Sequence, residues 1–230
     1  MRCKRKHLLF AVIIVIVFGL IMYHTFMHIS VCKNNEEVFR QQVGSILSFY
    51  EYQLYTMFLL PMYLVFFISM SEQVLQRIVR SRNKKIVALK EIGVNVFCAL
   101  LFVSIINAIG TLYPLLYGVM SGRFFIAYSI QTIFMFLLFV VMGNFVLILK
   151  VFTSNQILQI GLPFVLVMVN HMYRKQIYNV FREINIAVSN YAEDIPINLG
   201  MVSAVVFTLL LASVIIKLYV CSEEEYWHAD

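Results

Sequence analysis

The chain reads as an all-α polytopic membrane bundle of about six spans, with both termini on the cytoplasmic side. Three observations carry that expectation. Of its 230 residues 61% are hydrophobic and only 13% charged, and mean hydropathy is +0.84; a soluble globular chain carries about 25% charged residues. Several uncharged apolar stretches approach the roughly 20 residues needed to cross a hydrocarbon core. Finally, a basic stretch, Ser71 to Glu91, holds six of the 18 Lys and Arg residues between two such runs.

The first element is an apolar run over residues 8–29, preceded by Arg2, Lys4, Arg5 and Lys6. Its length and the lack of a small-x-small cleavage site predict an uncleaved signal anchor with the N-terminus inside. Residues 30–53 form a polar outer loop. A second span covers 54–70, where Pro61 is tolerated because neighbouring helices can satisfy the freed carbonyl.

Next comes the basic segment 71–91. Arg77, Arg80, Arg82, Lys84, Lys85 and Lys90 face only Glu72 and Glu91. Short loops rich in Lys and Arg stay in the cytoplasm, so this segment fixes the orientation. Val74, Leu75, Ile78 and Val79 share one helical face, which predicts an amphipathic helix lying on the inner membrane surface.

The third span covers 92–113 and ends at Pro114; the turn GVMSGR leads to the fourth, 124–149. After an inner loop over 150–156 comes a fifth, 157–172, whose apolar residues are opposed by Gln159, Pro163, Asn170 and His171. Residues 173–196 follow as an outer amphipathic segment, with Ile177, Val180, Phe181, Ile184 and Val188 on one face. The sixth span, 197–219, leads to the cytoplasmic tail CSEEEYWHAD. Six spans place twelve Lys and Arg inside and six outside; leaving 157–172 uncrossed would give fourteen and four. The apolarity of 157–172 favours crossing.

Candidate chemistry is sparse. Spans two to four contain no Asp, Glu, Lys, Arg or His, which argues against a proton relay or an intramembrane hydrolase. His24, His28 and His171 sit near one membrane level, but half-wet interfacial histidines are the plainer reading, and no metal is assigned. Glu36, Glu37 and Arg40 resemble the paired glutamates of membrane-embedded CAAX-type proteases, but the Arg comes one residue too early, the pair sits in an outer loop and the later histidines are absent. Of the four cysteines only Cys32 lies outside in this topology, Cys98 lies in a span, and Cys3 and Cys221 face the reducing cytoplasm, so no intramolecular disulfide is expected. With no GxxxxGK[ST], GxGxxG or GxSxG, the chain is not expected to be an enzyme or to bind a cofactor directly. Asn95, Ser104, Asn107, Gln131 and Asn144 are candidate interhelical hydrogen-bonding groups or path-lining residues. The +6 charge is explained by orientation, so no nucleic-acid partner is expected.

Six spans with a basic inner segment after the second and an amphipathic outer segment after the fifth resemble the permease subunit of bacterial ABC exporters. The resemblance is one of layout and covers nearly the whole chain. It implies that 71–91 is a coupling segment in which Glu72, Arg77, Arg80, Arg82, Lys84 and Lys85 touch a cytoplasmic ATPase. It also implies that ATP is used through that subunit, that 173–196 roofs the substrate path, and that the chain pairs with a second permease in the plasma membrane. The usual surface helix before the first span is missing, since only seven residues precede Leu8. The alternative is a non-transporting sensor, immunity protein or accessory subunit, in which the basic segment only orients the chain and meets anionic headgroups. A seven-span receptor would need another span, which residues 30–53 cannot supply.

Overall fold

The computed structural model describes residues 16, 19–20, 58–78, 84–116, 122–173, 180, 182–184, 186 and 199–227. Among them the chain is helical and forms no strand. Five helices organise it: α1 (Leu60–Ile78), α2 (Lys84–Leu116), α3 (Gly122–Phe152), α4 (Gln156–Met172) and α5 (Leu199–Trp227). Three stretches within them are long and apolar enough to cross a membrane: Lys85–Ile109, Phe125–Phe152 and Leu199–Cys221. Leu60–Ser71 and Gln156–Asn170 are shorter apolar helices.

The basic segment is not a separate surface helix. Residues 71–78 prolong α1 and residues 84–91 open α2, with 79–83 outside the described residues. The physical reason lies in the pattern itself. Apolar spacing at Val74, Leu75 and Ile78 is satisfied equally by continuing the preceding helix, and KKIVALKE is composed largely of strong helix formers. At 33 residues α2 extends about 50 Å, well beyond a hydrocarbon core of about 30 Å. It is thus longer than a crossing requires.

Other boundaries move for similar reasons. Pro61 is the second residue of α1, and residues 58–59 before it adopt a wider π turn. Pro114 sits within the last turn of α2 rather than ending it. Only residues 153–155 separate α3 from α4. Asn155 caps α4, accepting a 3.0 Å bond from the Ile157 N–H on its Oδ1, while Gln159 Nε2 donates to the Thr153 carbonyl at 2.7 Å.

Helix α3 is the centre of the bundle and packs against all four others. Sixty-one per cent of its apolar window is buried, against 17% for α5, which touches the bundle by one stripe. That stripe is Val202, Val206, Ser213 and Lys217, repeating at helical spacing. Its other faces, with Phe207, Leu211 and Ile215, are exposed and suited to lipid contact. Between α1, α2 and α3 lies an aromatic cluster: Tyr63 is 4.8 Å from Phe139 and 5.5 Å from Phe102, and Phe102 meets Phe139 edge-on at 5.3 Å.

Register follows from the polar contacts. Asn95 meets Asn144 and Asn107 meets Thr132, so twelve residues forward on α2 match twelve backward on α3, an antiparallel pair. Asn144 meets Ser213 and Leu147 meets Lys217, so α3 and α5 run parallel. The chain between Phe152 and Leu199 must therefore return to the end where α3 begins. Helix α4, about 25 Å long and packed on α3 and α1, lies on that return. Of the amphipathic stretch that follows, residues 180, 182–184 and 186 are described and helical; Ile184 is buried, Val180 packs on the core, and Arg182 is exposed.

Candidate functional site

In a bilayer no water competes for buried polar groups, so each must find a protein partner. Asn95, on the buried face of α2, is the hub. Its Nδ2 donates to the Val140 carbonyl at 2.8 Å and to Asn144 Oδ1 at 2.9 Å, and its Oδ1 accepts from the Tyr63 hydroxyl. Asn144 Nδ2 then donates to Ser213 Oγ at 3.1 Å, and Ser213 donates to the Leu210 carbonyl within α5. Side chains of α1, α2, α3 and α5 are thus joined in one chain of hydrogen bonds. Gly143 makes the approach possible, because a Cβ there would collide with the Asn95 carboxamide.

One helical turn away lies a second layer. Glu91 precedes Asn95 by four residues, Lys217 follows Ser213 by four, and Leu147 follows Asn144 by three. Lys217 Nζ donates to Glu91 Oε2 at 2.9 Å and to the Leu147 carbonyl at 3.0 Å. The Lys217 side chain is 3% exposed and that of Glu91 16%. An unpaired charge within the membrane costs about 2.5 to 3.5 kcal/mol at mid-depth on an insertion scale. Pairing and the carbonyl contact offset that cost here. At the same end Lys150 Nζ lies 3.4 Å from Ser71 Oγ, linking α3 to α1.

Towards the opposite end, Thr132 Oγ1 donates to Asn107 Oδ1 at 3.1 Å. This pair edges an apolar cleft between Leu59, Val103, Ile106, Met135 and Phe139 that has room for about one water molecule. It is too small for a transported molecule. Gln131 is fully buried nearby in sequence, and Ser104 lies exposed on α2.

Of the polar residues singled out in the sequence, the structure brings Asn95 and Asn144 together, places Asn107 in a separate pair, and leaves Ser104 outside both. Sequence reasoning missed Tyr63 and Ser213, which carry no mark distinguishing them from other tyrosines and serines. It also missed the ion pair. Lys217 lies within the sixth predicted span and Glu91 at the threshold of the third, so a search for opposite charges at span ends would have found it. Of the coupling residues, Lys85 is exposed near the start of α2. Glu72, Arg77 and Lys84 lie on helical backbone but their side chains are outside the described residues, as are Arg80, Arg82, His24, His28 and the side chain of His171.

Long apolar helices, lipid-facing faces and buried interhelical polar bonds define a helical membrane protein. No protein-family model, no curated protein and no solved structure matches the chain.

Proposed function

We propose that the chain is the permease subunit of an ABC-type exporter, coupling ATP hydrolysis by a separate cytoplasmic ATPase to outward movement of a hydrophobic, peptide-like or lipid-like substrate. One observation carries this reading. The latter part of the basic segment, residues 84–91, forms the opening turns of α2, and this end of α2 is tied through Glu91 to Lys217 on α5, which also holds the backbone of α3. A push on that segment reaches three helices at once. A segment serving only to orient the chain needs no such joint, since each basic residue near anionic headgroups already contributes about 1 kcal/mol.

The parallel run of α3 and α5 supports a crossing between them and hence six spans with both termini in the cytoplasm of a plasma-membrane protein. In this reading one chain is half a transporter, and the path is enclosed between two copies or two related permeases. ATP enters only through the partner subunit.

The second reading is a non-transporting sensor, immunity protein or accessory subunit, in which the basic segment only orients the chain and meets anionic headgroups. A double substitution separates the two. Arg77→Glu with Arg80→Glu keeps the chain inserted and abolishes the recovery of ATPase with it, because reversed charge repels a specific dock. Unchanged recovery and unchanged hydrolysis by the recovered complex would remove the coupling role.

A further inference from the structure

The Glu91–Lys217 pair is not needed to fill the core, since an apolar pair of similar volume would insert more easily. Its position is specific. It sits where the basic segment enters the bundle, one turn from the amide layer, and its lysine holds the carboxylate of α2 and a carbonyl of α3 at once. Glu91 is partly exposed while Lys217 is almost fully enclosed, so the pair lies at the edge of the buried bundle.

We infer that Glu91 and Lys217 form the transmission joint through which movement of the basic segment is passed from α2 to α3 and α5. This rests on the permease reading. The two are positioning residues that act through the helices they connect, touching neither nucleotide nor cargo. The attraction between opposite charges is directional at 2.9 Å and resists separation of the helices when α2 is pulled. The asparagine layer behind it uses neutral bonds and holds the helices together whether or not force arrives.

The test uses the complete complex in nanodiscs of phosphatidylethanolamine and phosphatidylglycerol, open to reagents on both faces, with Cys3→Ser, Cys32→Ser and Cys221→Ser and a reporter Thr111→Cys at the far end of α2. Labelling by a charged maleimide is compared without nucleotide and after ATP with vanadate. The unaltered joint gives a labelling change of at least about fivefold, the lower range of typical coupling between sites. Glu91→Gln with Lys217→Met, which leaves no unpaired charge, keeps the ATPase bound but loses the change. Lys217→Arg, which preserves both contacts, restores it, and Ser213→Ala in the amide layer retains it. If the doubly neutral complex cannot be recovered, Glu91→Asp, which shortens the carboxylate arm, must reduce the change while Lys217→Arg does not. A full change in the doubly neutral complex, or in Glu91→Asp, would overturn the joint while leaving the permease reading intact. Failure of the unaltered chain to bring down any ATPase overturns both.

Discussion

Asn95 shows how a single polar residue organises an apolar bundle. Its carboxamide serves Tyr63, Asn144 and the Val140 carbonyl, so Asn95→Ala strands buried partners on two other helices. Leaving such groups unpaired costs about 1 to 3 kcal/mol. We expect a lower melting temperature in mild detergent, whereas Ser104→Ala, on an exposed face, stays within about 0.5 kcal/mol. Equal losses at both positions would contradict the assignment of Asn95 as the hub. Gly143→Val should be at least as damaging as Asn95→Ala, since the added side chain meets the Asn95 carboxamide, and overpacking typically costs about 1 to 3 kcal/mol. The polar character of Asn95 and Asn144 was legible in the sequence because each interrupts an apolar run. Which residues they would meet was not, because partners 49 and 69 positions apart are set by helix register.

At the scale of elements, composition located the helices and helix continuity moved their ends. The sequence pattern over 71–91 contains a true amphipathic face, yet a periodicity of 3.6 cannot say whether that face belongs to a new helix or to the prolongation of its neighbours. Likewise Pro61 and Pro114 mark helix ends only to within a turn. The ion pair between α2 and α5 yields a prediction of order. Glu91→Gln leaves the enclosed Lys217 ammonium with neutral oxygen acceptors and no counter-charge, at a cost of about 3 kcal/mol. Lys217→Met is milder, because Glu91 is partly exposed and can turn towards water. The double substitution regains most of the loss. Thermal melting of the purified variants checks this, and an inverted order would place Glu91 rather than Lys217 in the enclosed position.

At the scale of the molecule, the run of α3 beside α5 bears on topology more than charge counting does. Twelve against six and fourteen against four are both positive-inside, so the loops alone do not decide how often the chain crosses. Parallel packing requires a return between Phe152 and Leu199, and α4 is the helix placed to make it. In a Cys32→Ser background, a cysteine introduced at Asn190, which lies outside the described residues, should then react with an impermeant thiol reagent from outside intact cells. Labelling only after lysis would remove the six-span reading. The proposal as a whole depends on a partner, because the bundle has no nucleotide-binding motif of its own. The most direct measurement is therefore purification of the tagged chain from its native membrane in mild detergent, with identification of what accompanies it. An ATPase recovered near a one-to-one ratio is the result expected of an exporter permease; the chain recovered alone, or with a partner that binds no nucleotide, would contradict it.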